Sequence, residues 1–549
     1  MFKGQPKGLF VLFFSNMGER FGYYTMLAIF ALYLQDHFGW NETKAANVYG
    51  IFLAAIYFAP LLGGIIADSF LGYGKTVIIG IVVMALGYVL LAQPTNDPNV
   101  VYIALGVIAL GVGLFKGNLV VIVGNLYDES NLGHLRDAAF NIFYMGINVG
   151  AFFAPHAANS IKNFYLEKSG FVYDSAIPKI ANEFLAGSTP KLEVLQNFAK
   201  TTDPVALTTF SQNYLDALAK GYNWGFALAV ISMAMSIVIF IAFRKHYKHA
   251  DYRQKDKIKT GDAIELSPKQ VKDRIVALLL VFLIVIFFWM AFHQNGSTLT
   301  FFAKNYTNLH TSKFTYMLFN IPALLSIFAI VLGGIFLFNK NTSKNNKIYS
   351  SIAAIAGISY IAYFWLNTPA QNLVGPELFQ SFNPIFIVIL TPVIVGIFAS
   401  LNSKGKEPSA PFKIGIGMVI TAIGFIVMVM ASIGLPSVLS LNGNAVEAGL
   451  AVSPYWLIST YFTLTIAELF LSPMGLSFVS KVAPPKLKGS MQAGWLAATA
   501  IGNYLAGFVG RFYQNWELWQ FFLMLVTLCI VSAIIMFSIL KIIKRASTS

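Results

Sequence analysis

Long apolar segments recur along the whole chain, separated by short polar stretches. A helix needs about 20 apolar residues to cross the roughly 30 Å hydrocarbon core of a bilayer, and these segments are close to that length or longer. A membrane β-barrel would instead show segments of about 10 residues with alternating polarity. The sequence therefore predicts an all-α polytopic membrane protein with about fourteen spans, at 7–35, 44–70, 75–93, 99–125, 138–162, 221–244, 275–303, 314–339, 347–367, 379–400, 412–434, 453–479, 489–511 and 518–540.

Basic residues set the expected orientation of these spans. The 549 residues are 56% hydrophobic and only 11% charged, with a formal net charge of +14. Lys and Arg crowd into alternate loops, which is the positive-inside pattern with both termini in the cytoplasm. This placement accounts for the charge without a nucleic-acid partner. We expect an integral protein in contact with the lipid bilayer, in a bacterial inner membrane.

The first span and the single cysteine bear on three features: a signal peptide, a disulfide and a metal site. Glu19 and Arg20 lie in the middle of the first apolar segment, which favours a retained helix over a signal peptide. Cys529 is the one cysteine of the chain, so an intramolecular disulfide and a cysteine-rich metal site are excluded.

Two long polar stretches divide the chain. We expect an N-terminal six-helix bundle over 1–245, with an external insertion at about 163–220 that contains helix-like runs at 191–199 and 204–220. A basic cytoplasmic linker follows at 246–274. The C-terminal bundle, 275–549, carries an extra helix pair at about 314–367. Two bundles joined in this way are typical of transporters that rock about a central site.

Ionisable side chains inside the spans are the candidate functional residues, because each costs roughly 2.5 to 3.5 kcal/mol in a bilayer unless it is paired or solvated. On the first helix, Glu19, Arg20 and Tyr23 share one face with Asn16 and Leu27. Hydrogen bonding between helices is the alternative role for such groups. The remaining candidates in the spans are Lys116, Asn148, His293, Gln294, Asn383 and Glu468.

The residues from Asn16 to Tyr24 resemble Glu-x-x-Glu-Arg-Phe-x-Tyr-Tyr, the first-helix motif of the proton-dependent oligopeptide transporter family of the major facilitator superfamily. Further stretches are similar to motifs of that family in the family's order, and they cover both halves of the chain. They are Gly63 to Asp68 with Leu71 and Gly72, Phe115 to Asn118, Phe143 to Gly150, Phe379 to Pro384, Ala467 to Gly475, Gly494 to Leu496 and Gly502 to Tyr504.

The resemblance implies a major facilitator fold, two six-helix bundles plus two extra spans, and a central peptide site. Lys116, with Arg20, would face the peptide carboxylate, and Glu468 would hold the amino terminus. Asn148 and Asn383 would bind the amino terminus and the peptide backbone. Side-chain pockets would be lined by Tyr23, Tyr24, Tyr57 and Trp495. For the asparagines and tyrosines interhelical hydrogen bonding is the alternative, and for Trp495 it is packing.

The chain departs from the family pattern at three positions. Asn16 replaces a proton-linked glutamate, Leu27 replaces an arginine, and His293 stands where the family has a glutamate. Because histidine has an unperturbed pKa of about 6.5, His293 is a candidate proton carrier beside Glu19 and Glu468. The resemblance also assigns Asp68, Gly72 and Lys75 to conformational gating at the inner face.

These features predict a secondary transporter that imports di- and tripeptides by alternating access, driven by proton influx, as a monomer without cofactor or metal. Transport of nitrate or an organic anion is the alternative cargo, and a membrane nutrient sensor is a further alternative. The sequence shows no His-Glu-x-x-His pair, nucleophile elbow or phosphate loop, so an enzyme is not expected.

Overall fold

A computed structural model of the chain describes residues 4–127, 132, 135–188, 191–252, 267–339, 342–441, 444–484 and 487–548. The part of the predicted linker at 253–266 lies outside the described residues.

The described residues of the N-terminal part form helices joined by short connections. Its helices, α1 to α8, are α1 (Lys7–Phe38), α2 (Glu42–Ile66), α3 (Tyr73–Ala92), α4 (Pro98–Asn125), α5 (Arg136–Lys168), α6 (Ile177–Leu185), α7 (Leu192–Ala199) and α8 (Pro204–Ala242). The long members pack against one another, α1 on α5 and α8, α3 on α4 and α8, and α2 on α4.

The described residues of the C-terminal part form ten α-helices and a pair of short strands. The helices, α9 to α18, are α9 (Pro268–Phe292), α10 (Thr298–Tyr306), α11 (Lys313–Met317), α12 (Ile321–Phe338), α13 (Lys344–Asn367), α14 (Phe382–Ser403), α15 (Ala410–Ser432), α16 (Tyr455–Val482), α17 (Lys488–Asn515) and α18 (Leu518–Thr548). Strand β1 (His310–Ser312) pairs antiparallel with β2 (Gln371–Leu373).

Twelve of the fourteen predicted apolar segments coincide with one long helix each, whereas 275–303 is divided between α9 and α10 and 314–339 between α11 and α12. Among the described residues, ten helical segments are both long enough and apolar enough to cross a membrane. The remaining four long helices are α1, α5, α16 and α17, in which sequence analysis placed many of the polar candidates. The all-α membrane fold is confirmed, and the count of fourteen spans stays a prediction.

Two helices differ from the sequence expectation. The predicted run 204–220 and the span after it form one helix, α8, because no proline separates them and Gly221, at the junction, packs against the backbone of Lys162 in α5. The predicted span 275–303 is instead broken by a 3-10 turn at His293–Gly296. The hydroxyl of Tyr461 donates a 2.9 Å hydrogen bond to the carbonyl of Asn295, so a partner helix satisfies a backbone group that the break releases.

The closest crossing between the two halves joins α2 to α17. A side chain at Gly507 would place its Cβ 3.0 Å from the Cα of Gly50, and one at Gly50 would lie 2.9 Å from the carbonyl oxygen of Asn503. Glycine at both positions lets the backbones approach, as small residues do in membrane helix pairs.

The extra helices α12 and α13 pack chiefly on each other. A Cβ at Gly333 would lie 2.7 Å from the carbonyl oxygen of Ser350, and one at Gly357 the same distance from that of Ser326. Most of their apolar side chains stay exposed, as expected of helices that face lipid at the periphery.

Candidate functional site

The first-helix pair is fully formed in the structure. Arg20 donates to both carboxylate oxygens of Glu19, from Nε and from Nη2, each at 2.5 Å. Both side chains are buried, Glu19 with no exposed surface. The guanidinium carbon of Arg20 lies 4.8 Å from the centre of the Tyr23 ring. The two charge-assisted hydrogen bonds from Arg20 therefore offset the cost of burying the Glu19 carboxylate.

A second cation lies nearby on α4. The Lys116 ammonium is 4.2 Å from the centre of the Tyr57 ring on α2, a cation–π contact. Tyr57 in turn meets His293 edge-on, with ring centres 6.2 Å apart. Lys116 also interacts electrostatically with Arg20 and Glu19. Lys116 and His293, predicted from different halves, therefore flank the same tyrosine.

His293 occupies the turn that breaks the helix. Its Nδ1 is 3.1 Å from the carbonyl oxygen of Trp289, and since a carbonyl only accepts, Nδ1 carries the proton. Nε2 is then the atom that would take a second proton.

The acidic end of the site is on α16. Glu468 Oε2 accepts a 2.8 Å hydrogen bond from Asn383 Nδ2 on α14, and the same amide donates to the Thr465 hydroxyl at 3.1 Å. Thr465 was not among the predicted residues, because a threonine in an apolar segment gives no signal of its own. Asn383 thus holds the Glu468 carboxylate in place.

Two tyrosines interact with both the basic and the acidic residues of the site. The phenols of Tyr24 and Tyr57 each interact electrostatically with both Arg20 and Glu468. Lys116, Tyr24, Tyr57, Asn383 and Glu468 all keep part of their surface exposed. Each half therefore places one partly exposed charged group near Tyr57, Lys116 from the N-terminal half and Glu468 from the C-terminal half.

Three predicted lining residues are engaged elsewhere in this conformation. Trp495 is only 3% exposed and packs against Gly475 and, with ring centres 6.3 Å apart, Phe282. Asn148 donates to the carbonyl of Tyr144 in its own helix at 3.3 Å. Tyr23 is 4% exposed and contacts Tyr24 edge-on.

The predicted gating residues lie around the junction of α2 and α3, with Gly72 between the helices and Lys75 in the first turn of α3. Gly72 has φ +79°, in the left-handed region that favours glycine. The Tyr73 hydroxyl donates to Asp68 at 2.6 Å, and Lys75 is exposed. Asp251, from the linker region, accepts a 2.7 Å bond from the backbone N–H of Gly74. Sequence analysis missed Asp251 because a single acid in a basic loop resembles a solvated charge.

Two buried ion pairs between the halves were also missed. Asp36 pairs with Lys304 and Lys162 pairs with Glu377, each at 2.5 Å and each nearly or fully buried. All four stand at or just beyond the end of a predicted apolar segment, where a charge is normally solvated. Nothing in the sequence marks them as partners.

The chain is similar to known membrane transport proteins over most of its length. A sequence profile of the POT family matches residues 74–261 and 366–520, more than half of the chain. The dipeptide and tripeptide permease B of Xenorhabdus bovienii is 26% identical over 518 residues, covering 92% of this chain and 86% of the permease. The peptide transporter YePEPT of Yersinia enterocolitica is 28% identical over 530 residues, covering 93% of this chain and 88% of that protein.

Solved structures share the fold. A peptide transporter POT in complex with sulfate superposes with a TM-score of 0.67 at 23% identity, over 100% of this chain and 96% of the other. A POT family transporter in complex with 5-aminolevulinic acid gives 0.67 at 21% identity, over 99% and 98%. The major facilitator fold is therefore confirmed. The profile match and the similar permeases show that the protein is an integral membrane transporter. Together with the profile match, this establishes that the chain belongs to the POT family, the family that its sequence motifs resemble.

Proposed function

We propose that this protein imports di- and tripeptides by alternating access, coupled to proton influx. The observation that carries the proposal is the placement of Lys116 and Arg20 on one half and of Glu468 on the other, with Lys116 4.2 Å from the centre of the Tyr57 ring and both Arg20 and Glu468 within electrostatic range of that phenol. A small peptide is a zwitterion, and opposite charges at opposite ends orient it. The two similar proteins described above are, by name, a permease of dipeptides and tripeptides and a peptide transporter.

We assign Lys116 and Arg20 to the peptide carboxylate and Glu468 to its ammonium. Asn383, which already donates to Glu468, positions that carboxylate and binds the backbone beside it. Asn148 and Trp495 enter the site only if their present contacts are exchanged when peptide binds. Tyr23, Tyr24 and Tyr57 supply aromatic surface for side chains of varied size, which suits a carrier of many peptides.

Proton coupling is assigned to Glu19, His293 and Glu468. In the present state Glu19 holds Arg20 by two bonds, so a proton on Glu19 would release the guanidinium to the peptide carboxylate. Asn16, one turn before this pair, cannot take up a proton. Proton binding is therefore assigned to Glu19, His293 and Glu468. A proton on Glu468 would have the opposite effect and weaken peptide binding, because it removes the negative charge that holds the peptide ammonium.

Anion transport is the competing function. A partly exposed carboxylate in the site repels nitrate and organic anions, so the presence of Glu468 favours the peptide over the anion. We further propose that the protein works as a monomer in a bacterial inner membrane with both termini in the cytoplasm. The basic residues of alternate loops support this orientation.

Uptake into liposomes tests the proposal. Purified protein should accumulate labelled dialanine under an inward proton gradient and should not accumulate nitrate. Glu468→Gln and Lys116→Gln should abolish uptake, whereas Glu193→Gln, an exposed residue of α7, should leave it unchanged. His293→Ala should uncouple uptake from the gradient. Nitrate uptake without dialanine uptake would overturn the peptide assignment.

A further inference from the structure

A polar stripe follows the C-terminal end of α5. His156, Asn159, Asn163 and Glu167 recur at intervals of three or four residues, so they share one face of the helix. Polar groups on a face that met lipid hydrocarbon would be costly. This face instead borders a cavity of about 380 Å³, which falls within the size range of small-molecule sites.

Three parts of the chain enclose the cavity. The α5 stripe forms one wall, Val172 and Tyr173 from the segment after α5 form a second, and residues of 316–322 and 373–378 form the rest. In the predicted topology this is the outer end of the spans, at the depth of the lipid head groups. The described residues that line the cavity include no member of the proposed peptide site, so the two are separate.

The charge of the lining favours a cation. Within the described part of the chain, the carboxylate of Glu167 lines the cavity and no lysine or arginine does. Lys162, the neighbour of Asn163, is fully buried and pairs with Glu377 at 2.5 Å, so its charge is already balanced. The two nitrogens of His156 face backbone carbonyl oxygens at 3.3 and 3.1 Å, which leaves neither of them to a ligand.

Two residues of the lining each hold a buried oxygen that has no hydrogen-bond partner among the described residues. These oxygens are Asn163 Oδ1 and the hydroxyl of Tyr173, a residue that is only 4% exposed. Both can accept a hydrogen bond, because an amide oxygen and a phenol oxygen carry lone pairs. With the Glu167 carboxylate they make three acceptors, and a primary ammonium has three N–H groups to donate.

We propose that this cavity is a binding site for a primary ammonium group, held by Asn163, Tyr173 and Glu167. The inference goes beyond the proposed function and does not depend on the peptide cargo. Two sources share this chemistry, the head group of an aminophospholipid and a free amine from outside the cell. The position favours the lipid, because Ile321 and Pro322 at the start of α12 line the cavity and most apolar side chains of α12 stay exposed.

Native mass spectrometry of the purified, delipidated protein measures binding of the lipid. Dioleoyl phosphatidylethanolamine and dioleoyl phosphatidylcholine are titrated in separate samples, because the two differ only in the methyl groups on the nitrogen. A trimethylammonium has no N–H to donate. We therefore expect phosphatidylethanolamine to bind on the order of tenfold more tightly.

Two variants locate this binding in the cavity. Tyr173→Phe keeps the ring and removes the unpartnered hydroxyl, so the affinity for phosphatidylethanolamine should fall about tenfold. Glu167→Gln changes an exposed side chain, which leaves the fold undisturbed, and should weaken binding roughly two- to fivefold. The matched control is Glu193→Gln, an exposed residue of α7 outside the cavity, which should bind as the parent does.

Titration with ethanolamine, the ammonium without the lipid, measures the second source. Ethanolamine binding that weakens in Tyr173→Phe and Glu167→Gln, with no preference between the two lipids, would keep the site and assign it to a soluble amine. Unchanged affinity for phosphatidylethanolamine in both variants, with ethanolamine binding absent or unchanged, would overturn the proposal. An equal loss in Glu193→Gln would also overturn it, because the effect would then not come from the cavity. Dialanine uptake plays no part in these measurements, so failure of the proposed function would not change their outcome.

Discussion

The charge of Glu468 should govern recognition of the peptide ammonium, and Glu468→Gln isolates that charge. Glutamine keeps the size of the side chain, and its carbonyl oxygen still accepts the 2.8 Å hydrogen bond from Asn383. The change therefore removes the negative charge with little disturbance of the packing. What is lost is the ion pair with the ammonium of the bound peptide.

The expected loss follows from the chemistry of that pair. A hydrogen bond to a charged group contributes roughly 1.5 to 3 kcal/mol. Because about 1.4 kcal/mol corresponds to a factor of ten in affinity, dialanine should bind Glu468→Gln roughly ten- to a hundredfold more weakly than the parent. N-acetyl-dialanine has no ammonium, so its affinity should change little.

Calorimetric titration of both ligands into both proteins gives the four affinities of a thermodynamic cycle. Lys116→Gln provides the mirror experiment, in which dialanine should lose affinity and its C-terminal amide should not. Equal losses for dialanine and N-acetyl-dialanine in Glu468→Gln would refute the reasoning, because the effect would then be independent of the ammonium.

Three further substitutions test the packing and the first-helix pair, each by thermal unfolding in detergent. Gly507→Leu should lower the free energy of unfolding by about 1 to 3 kcal/mol, because its Cβ would lie 3.0 Å from the Cα of Gly50. Gly72→Ala should cost about 1 to 2 kcal/mol, since its φ of +79° is unfavourable for a residue with a Cβ. Arg20→Lys should cost about 1.5 to 3 kcal/mol, because an ammonium cannot span both oxygens of Glu19 as the planar guanidinium does.

Controls for these substitutions come from the same chain. A Cβ at Gly106 would meet no atom within 4 Å, so Gly106→Leu should leave the unfolding midpoint close to that of the parent. An equal fall in Gly106→Leu and Gly507→Leu would show that the size of the side chain alone, and not the helix crossing, sets the loss. For Arg20→Lys, an unchanged midpoint would contradict a stabilising role of the two-bonded pair.

The sequence by itself determined the membrane fold and the residues that carry charge inside it. The length of each apolar segment identifies it as a membrane span, because a helix needs about 20 apolar residues to cross the bilayer core. Charges at mid-span, such as Glu19, Lys116 and Glu468, stand out for the same reason, since the bilayer penalises each one. The family motifs then ordered these residues into one proposed site.

Only the tertiary structure decided which residues meet. Asp36 and Lys304 are 268 positions apart, and Lys162 and Glu377 are 215 apart. Charges at the end of a span are tolerated with or without a partner, so no local pattern reveals these pairs. The break at His293 depends in the same way on Tyr461, which satisfies a backbone carbonyl from another helix. Local sequence records the cost of placing a group in the membrane, and the fold alone determines the partner that offsets that cost.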